Sequence, residues 1–87
     1  AWNLVMVTSM LRRAQGRLEE AEALAREACR LEPGHPDPYI TLAQALLDGG
    51  RLDEAEQSLQ VALKLAPTNG SALDVQSKLR ARRGERR

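Results

Sequence analysis

The sequence predicts an all-α fold built from antiparallel helical hairpins, and three observations lead to it. The stretch GRLEEAE, residues 16–22, returns as GRLDEAE, residues 50–56, after thirty-four positions. Apolar residues recur at steps of three or four, the spacing of one helix face. Of the 87 residues one is Trp, one is Tyr and none is Phe. A core made of Leu, Ala and Val favours closely packed helices over a β-sandwich.

The internal repeat has a fixed period. When residues 2–35 are compared with those thirty-four positions later, nine are identical, and all nine fall between Gly16 and Pro33. The identical residues lie in a turn, in the helix that follows it and at the proline that ends this helix. A fixed period of this kind predicts stacked units of one helical motif, in which each unit buries the face of its neighbour.

The first helix of each unit is predicted over residues 3–15 and 37–48. Asp37 and Pro38 form a good helix start, because an aspartate side chain caps the first turn and proline has no N–H to leave unpaired there. The segment 3–15 is predicted as the counterpart of 37–48, since it lies thirty-four residues earlier and precedes the same turn.

The second helix of each unit is predicted over residues 18–31 and 52–65. Gly16 and Gly50 precede these helices and supply the left-handed conformation that ends the helix before them. Acidic residues lie early and basic residues late in both segments, as the helix dipole favours. A proline follows each segment and prevents the helix from continuing.

A fifth helix is predicted over residues 71–83. Ser71 is the predicted N-cap, with Asp74 three positions on. Gly84 follows Gly50 by thirty-four residues. The fifth helix therefore takes the place of the first helix of a third unit.

A hairpin of thirty-four residues that ends in proline resembles the tetratricopeptide repeat. The second unit carries the pattern best, in Tyr39, Leu42, Ala43, Leu46, Ala55, Leu59 and Pro67. The first unit keeps Ala21, Ala28 and Pro33 but departs from the pattern at Val5, Thr8, Ser9, Arg12 and Ala25. Small residues are expected where antiparallel helices approach closely, namely at Ser9, Ala21, Ala28, Ala43, Ala55 and Ala62.

The resemblance implies an α-α superhelix of about two units and a C-terminal capping helix. The repeat domain is predicted over residues 1–83 and a basic, disordered tail over 84–87. Within the domain we expect unit 1 at residues 2–35, unit 2 at 36–69 and the capping helix at 70–83.

Charge and composition restrict the function. The net charge is +1, but residues 1–76 hold seven basic and eleven acidic side chains, whereas residues 77–87 hold six basic and one acidic. The single cysteine, Cys29, excludes an internal disulfide. The apolar run near the start is too short to span a membrane. We expect a soluble, cytoplasmic chain, and a start at Ala1 suggests a piece of a longer protein.

Few residues are suited to catalysis or to metal binding. The only histidine, His35, lies in a predicted loop and has no second ligand nearby in the pattern. Cys29 is interpreted as a half-buried small apolar residue rather than a reactive thiol. The carboxylates of LEEAE and LDEAE lie in the first turn of a helix, where acids stabilise the dipole. We expect no enzyme active site, no metal and no cofactor.

The resemblance implies that the first helices line a concave groove for a peptide or helix of a protein partner. The predicted partner-binding residues are Met6, Met10, Arg13, Asp37, Ile40, Thr41, Gln44, Leu47, Asp74 and Lys78; Asn3, Val7 and Val75 share the same helix faces. Met6, Met10, Thr41, Ser71 and Val75 stand where some family members carry a carboxylate clamp, so that clamp is missing. The methionines favour a hydrophobic or amphipathic segment.

The first helix is apolar on nearly every side, which is typical of a buried helix. Trp2, Leu4, Val7 and Leu11 are the predicted self-association residues. A preceding repeat, a second copy of the chain or a ligand could bury these four side chains.

The basic C-terminal stretch from Arg80 to Arg87 offers an alternative function. It could bind nucleic acid or acidic partners through counterion release, with a steep dependence on salt. No aromatic side chains are interleaved with the arginines, so a stacking platform for single strands is absent from the pattern, and nucleic acid is the weaker prediction. A further alternative is an accessory segment of a larger enzyme. The favoured function is a non-catalytic scaffold for protein–protein interaction.

Overall fold

The computed structural model describes residues 1–85, and five α-helices follow one another along them. They are α1 (Trp2–Ala14), α2 (Leu18–Leu31), α3 (Pro36–Asp48), α4 (Leu52–Leu65) and α5 (Gly70–Glu85). No strand occurs within these residues. The predicted all-α class is confirmed, and the predicted helices lie within two residues of the observed ones.

The two hairpins are closed by the same glycine turn. Gly16 and Gly50 both have φ +78°. The amide of the next residue donates back into the preceding helix, from Arg17 to the carbonyl of Arg12 at 2.8 Å and from Arg51 to that of Leu46 at 2.9 Å. This is the hydrogen-bond pattern of a Schellman motif, which only glycine enters without steric cost.

The helices are arranged in two layers. Each helix packs on the next along the chain, and α3 also contacts both α1 and α5. Helices α1, α3 and α5 therefore form one layer, and α2 and α4 form the other. The Cα positions extend 40 × 29 × 17 Å, and the shortest extent matches two helices lying one on the other.

Small side chains hold the layers together. The six positions at which close approach was expected are all buried, namely Ser9, Ala21, Ala28, Ala43, Ala55 and Ala62. The hydroxyl of Ser9 donates a hydrogen bond of 2.6 Å to the backbone carbonyl of Ala21, across α1 and α2. A buried hydroxyl is thus satisfied where two helix backbones come close.

The helix starts differ in detail from the prediction. His35, rather than Asp37, is the N-cap of α3, because its Nδ1 accepts a hydrogen bond of 3.2 Å from the amide of Asp37. At the start of α5 the side chain of Asn69, rather than that of Ser71, accepts a hydrogen bond of 3.1 Å, from the amide of Ala72. Both helices begin one residue earlier than predicted.

The C-terminal helix runs past the predicted boundary. Helix α5 ends at Glu85, so Gly84 and Glu85 continue the capping helix that was predicted to end at residue 83. The rest of the predicted disordered tail, Arg86 and Arg87, lies outside the described residues.

Candidate functional site

The surface formed by α1, α3 and α5, here called the first-helix face, carries a depression of about 250 Å³. Its lining residues are Arg13 of α1, Gln44, Leu47 and Asp48 of α3, and Lys78, Ala81 and Arg82 of α5. Three helices that are distant in sequence thus contribute to one surface. A partner segment lying across it would contact both units and the capping helix.

Four of these lining residues were among the predicted ones, and three were missed. Asp48 follows Gln44 by four residues, and Arg82 follows Lys78 by four. Because residues four apart share one helix face, the same periodicity could have extended the predicted set to these two and to Ala81.

The first-helix face is lined by paired charges. The Nε of Arg13 lies 2.7 Å from Oδ2 of Asp48, which links α1 to α3, and the Nζ of Lys78 lies 3.2 Å from Oδ2 of Asp74 within α5. All four side chains keep contact with water, so each pair contributes at most about 1 kcal/mol. Such weak pairs can exchange one partner for an incoming carboxylate or cation at little cost.

Three predicted partner-binding residues lie in the core instead. Ile40, Thr41 and Leu47 are only 4–5% exposed. Helix α3 is the middle helix of its layer and is covered by neighbours on both sides, so its side faces are buried. Val75 of α5 is buried as well. These residues support the first-helix face from below and offer a partner little surface of their own.

The other predicted residues remain accessible to different degrees. Met10 is 46% exposed and Met6 is half-buried, and both precede Arg13 on the same face of α1. Asp37 is half-buried, 3.8 Å from His35. Asp74 is exposed on α5. The face is thus apolar at Met6 and Met10 and charged around Arg13 and along α5, and the binding role of these residues stays a prediction.

Larger depressions exist elsewhere, but none of the following three includes a residue of the capping helix. One of about 500 Å³ is lined by α4 alone, and one of about 440 Å³ surrounds the turn from Gly16 to Glu20. A third, of about 400 Å³, lies between α2, α3 and α4 beside Cys29, Tyr39 and Val61. We favour the first-helix face because it alone among these unites residues of both units and the capping helix.

The side chains with chemistry suited to catalysis are engaged in packing, helix capping or surface ion pairs. Burial raises the pKa of the Cys29 thiol to about 11, so the thiol is neutral at physiological pH. His35 caps α3, and its ring lies 4.8 Å from that of Trp2, measured between centroids. Glu20 lies 3.6 Å from Arg17 at the surface. Within residues 1–85, no three His, Cys, Asp or Glu side chains come together as a metal site would require.

One arginine of the basic C-terminal stretch is bound within the chain. The Nη2 of Arg83 donates to Asp53 at 2.9 Å and to Glu56 at 2.8 Å. The hydrogen bond to Asp53, together with the charge of Glu56, raises the pKa of Arg83. Arg83 thus links α5 to the start of α4. Its guanidinium is therefore less available to bind a phosphate of nucleic acid.

Stacked two-helix units of thirty-four residues with glycine turns define a helical-repeat protein. The model of the tetratricopeptide repeat family matches residues 12–79. The match covers more than half of the chain, so the chain belongs to the tetratricopeptide repeat family. Repeats of this family generally mediate protein–protein interactions and are typically non-catalytic. No curated protein matches the chain.

Within residues 1–85, no helix combines the length and the apolar character needed to cross a bilayer.

Proposed function

We propose that the chain is a non-catalytic scaffold that binds a segment of a partner protein on the first-helix face. The observation that carries this proposal is the depression shared by α1, α3 and α5. This surface is held in place from behind, because the other faces of α3 and α5 are packed in the core and the buried Ser9 of α1 is hydrogen-bonded to the carbonyl of Ala21 in α2. Rigid surfaces bind with less loss of conformational entropy than flexible ones.

The chemistry of the face favours an amphipathic partner segment. Met6 and Met10 provide adaptable apolar contacts at the α1 end. Around the depression, Arg13 of α1 and Lys78 and Arg82 of α5 provide positive charge, balanced in part by Asp48 and Asp74. A segment with apolar side chains at one end and carboxylates at the other would match both parts, and its charges would set its orientation.

The absence of catalysis is part of the proposal. The Cys29 thiol is neutral at physiological pH, and a neutral thiol is a poor nucleophile. The Nδ1 of His35 is occupied as the cap of α3. Neither side chain lines the depression of the first-helix face.

The proposal is tested by capturing partners with two matched double variants. Met10→Glu with Lys78→Glu changes the first-helix face, whereas Val61→Glu with Lys64→Glu makes the same charge change at exposed positions of α4. We expect partners of the wild-type chain to be lost with the first variant and kept with the second. Both variants are shown to be folded by circular dichroism. If they recover partner proteins in equal amounts, the first-helix face is not the binding surface.

A further inference from the structure

The start of α5 contains the only Asn-Gly pair of the chain, Asn69 and Gly70. Gly70 is the first residue of α5 and is exposed, and Asn69 is half-buried. The side-chain amide of asparagine is one of the thermolabile groups of proteins. It is most labile when glycine follows, because a residue without Cβ lets its backbone nitrogen approach the asparagine side chain.

The backbone conformation does not require a glycine at position 70. Among the glycines of residues 1–85, Gly16 and Gly50 have a positive φ, and Gly70 does not. A Cβ at Gly70 would meet no atom within 4 Å, so no close approach excludes a side chain. Thirty-four residues earlier the equivalent residue is Pro36, a type that favours the first position of a helix. Packing and conformation therefore leave the glycine unexplained.

The backbone nitrogen of Gly70 is not held by the helix that it begins. The first N–H groups of an α-helix have no acceptor within that helix. The other asparagine of the chain, Asn3, differs in this respect. The N–H of Leu4, which follows it, donates to Oδ1 of Asn3 at 3.0 Å and to the carbonyl of Ala1 at 3.2 Å. The chain thus contains one Asn whose next nitrogen is available and one whose next nitrogen is engaged.

The side chain of Asn69 is folded back over the first turn of α5. Its Oδ1 accepts a hydrogen bond of 3.1 Å from the amide of Ala72. When a nucleophile attacks Cγ of an amide, negative charge develops on this oxygen. A fixed N–H that points to such an oxygen stabilises the transition state. The hydrogen bond that caps α5 therefore also favours attack on Cγ of Asn69.

We propose that Asn69 is a site of spontaneous deamidation through a cyclic imide with Gly70. The nitrogen of Gly70 gives its proton to solvent and forms a bond with Cγ of Asn69. The bond from Cγ to Nδ2 breaks, and Nδ2 takes up a proton and leaves as ammonia. Water then opens the imide. The net reaction converts an amide and one water into a carboxylic acid and ammonia, without oxidation or reduction.

The imide can open in two ways. Cleavage between the nitrogen of Gly70 and Cγ gives aspartate at position 69. Cleavage between this nitrogen and the backbone carbonyl carbon of residue 69 gives isoaspartate, in which the main chain passes through Cβ and Cγ.

The two products differ in how they cap α5. Aspartate keeps the acceptor oxygen and adds a negative charge at the positive end of the helix dipole. Isoaspartate carries its free carboxylate directly on Cα, so the capping geometry is lost. Helix α5 supplies Lys78, Ala81 and Arg82 to the first-helix face. Deamidation thus goes beyond the proposed function and alters the helix at one end of that face.

Mass spectrometry of the full chain, incubated at physiological temperature and pH, tests the proposal. We expect aspartate and isoaspartate to accumulate at position 69, whereas Asn3 keeps its amide. Isoaspartate is the diagnostic product, because direct hydrolysis of the side chain gives aspartate alone. Peptide mapping with electron-transfer fragmentation distinguishes the two. A free peptide of residues 66–73 gives the rate of the same pair without the fold.

Gly70→Pro is the matched control. Proline has no N–H with which to form the imide, and it suits the first helical position, as Pro36 does in α3. We expect this variant to be folded by circular dichroism and to keep the amide of Asn69. Gly70→Ala, whose Cβ meets no atom within 4 Å, is expected to slow the conversion.

Three results would overturn the proposal. They are an unchanged amide at position 69 after many half-lives of the free peptide, conversion to aspartate without isoaspartate, and equal conversion in the wild-type and Gly70→Pro chains.

The stability of the separated products tests the effect on α5. The isoaspartate form is expected to unfold at a lower urea concentration than the unmodified chain, and Asn69→Asp at the same or a higher one. An isoaspartate form as stable as the unmodified chain would contradict the effect on α5. Neither measurement involves a partner protein, so both are independent of the first-helix face.

Discussion

The guanidinium of Arg51 lies 2.8 Å from the carboxylate of Glu22, a side chain that is only 8% exposed. The two residues belong to different hairpins, and their contact fixes one hairpin against the other. A nearly buried carboxylate requires a partner, because an unpaired charge in the protein interior is costly. The buried position of Glu22 is therefore expected to depend on Arg51.

Arg51→Ala is expected to lower the free energy of unfolding by about 1–3 kcal/mol, since it leaves Glu22 buried without its closest partner. Arg26→Ala is the matched control, because its Nη2 lies 4.0 Å from Glu22, and it should cost less than about 1 kcal/mol. Urea unfolding followed by circular dichroism measures both. Equal losses in the two variants would show that Arg51 has no special role.

Substitutions at Ser9 examine the close contact of α1 and α2. Ser9→Ala removes the hydrogen bond to the carbonyl of Ala21 and should cost about 1 kcal/mol. Ser9→Leu also inserts a large side chain into a fully buried position, which adds about 1–3 kcal/mol through overpacking. Thermal unfolding of both variants checks the order, and a Ser9→Leu chain as stable as Ser9→Ala would contradict it.

Two glycine substitutions should have opposite effects. Gly50→Ala places a side chain at φ +78° and is expected to destabilise the chain by about 1–2 kcal/mol. Gly84 lies within α5, and a Cβ there would meet no atom within 4 Å. Gly84→Ala should therefore stabilise α5 by up to about 1 kcal/mol. Denaturant midpoints measure both effects. A Gly50→Ala chain as stable as the wild type would refute the left-handed turn, and a destabilised Gly84→Ala chain would contradict the helical, uncrowded position of Gly84.

The reactivity of Cys29 should depend on folding and on pH. Burial raises the pKa of its thiol from 9.0 to about 11, so at pH 8 the native chain holds about a hundredfold less thiolate than the unfolded chain. Reaction with a disulfide reagent should therefore be slower in the native state, because less of the thiol is present as the reactive thiolate.

The same shift makes stability depend on pH. The unfolded thiol loses its proton at a lower pH than the native one, so the free energy of unfolding should fall as the pH rises from 9.0 to about 11. Cys29→Ser is the control for both measurements. Similar reaction rates in the native chain and in denaturant would contradict the burial of this thiol.

The helices and their turns could be predicted because the signals are local and occur twice. Gly16 and Gly50 mark the same turn, and each second helix carries the same apolar spacing before a proline. The N-cap residues of α3 and α5 were harder to predict from the sequence. Whether His35 or Asp37 caps α3 depends on where the first helical turn begins, and both residue types at these positions can accept a hydrogen bond.

The surface could be predicted only in part. Helical spacing identifies which residues share a face, but it does not say how far neighbouring helices cover that face. Thirty-four residues separate Val7, which is exposed, from Thr41, which is buried. Their environments differ because α3 lies between two other helices of its layer, whereas α1 lies at the end.

The central claim is that a partner protein binds across α1, α3 and α5, and site-specific photocrosslinking tests it most directly. A photoreactive residue is placed at Met10, Gln44 or Lys78 of the first-helix face, or at Val61 or Lys64 of α4 as controls. The chain is then irradiated with its captured partner. We predict crosslinks from the first three positions and none from the two controls; crosslinks from Val61 or Lys64, with none from the first-helix face, would contradict the claim.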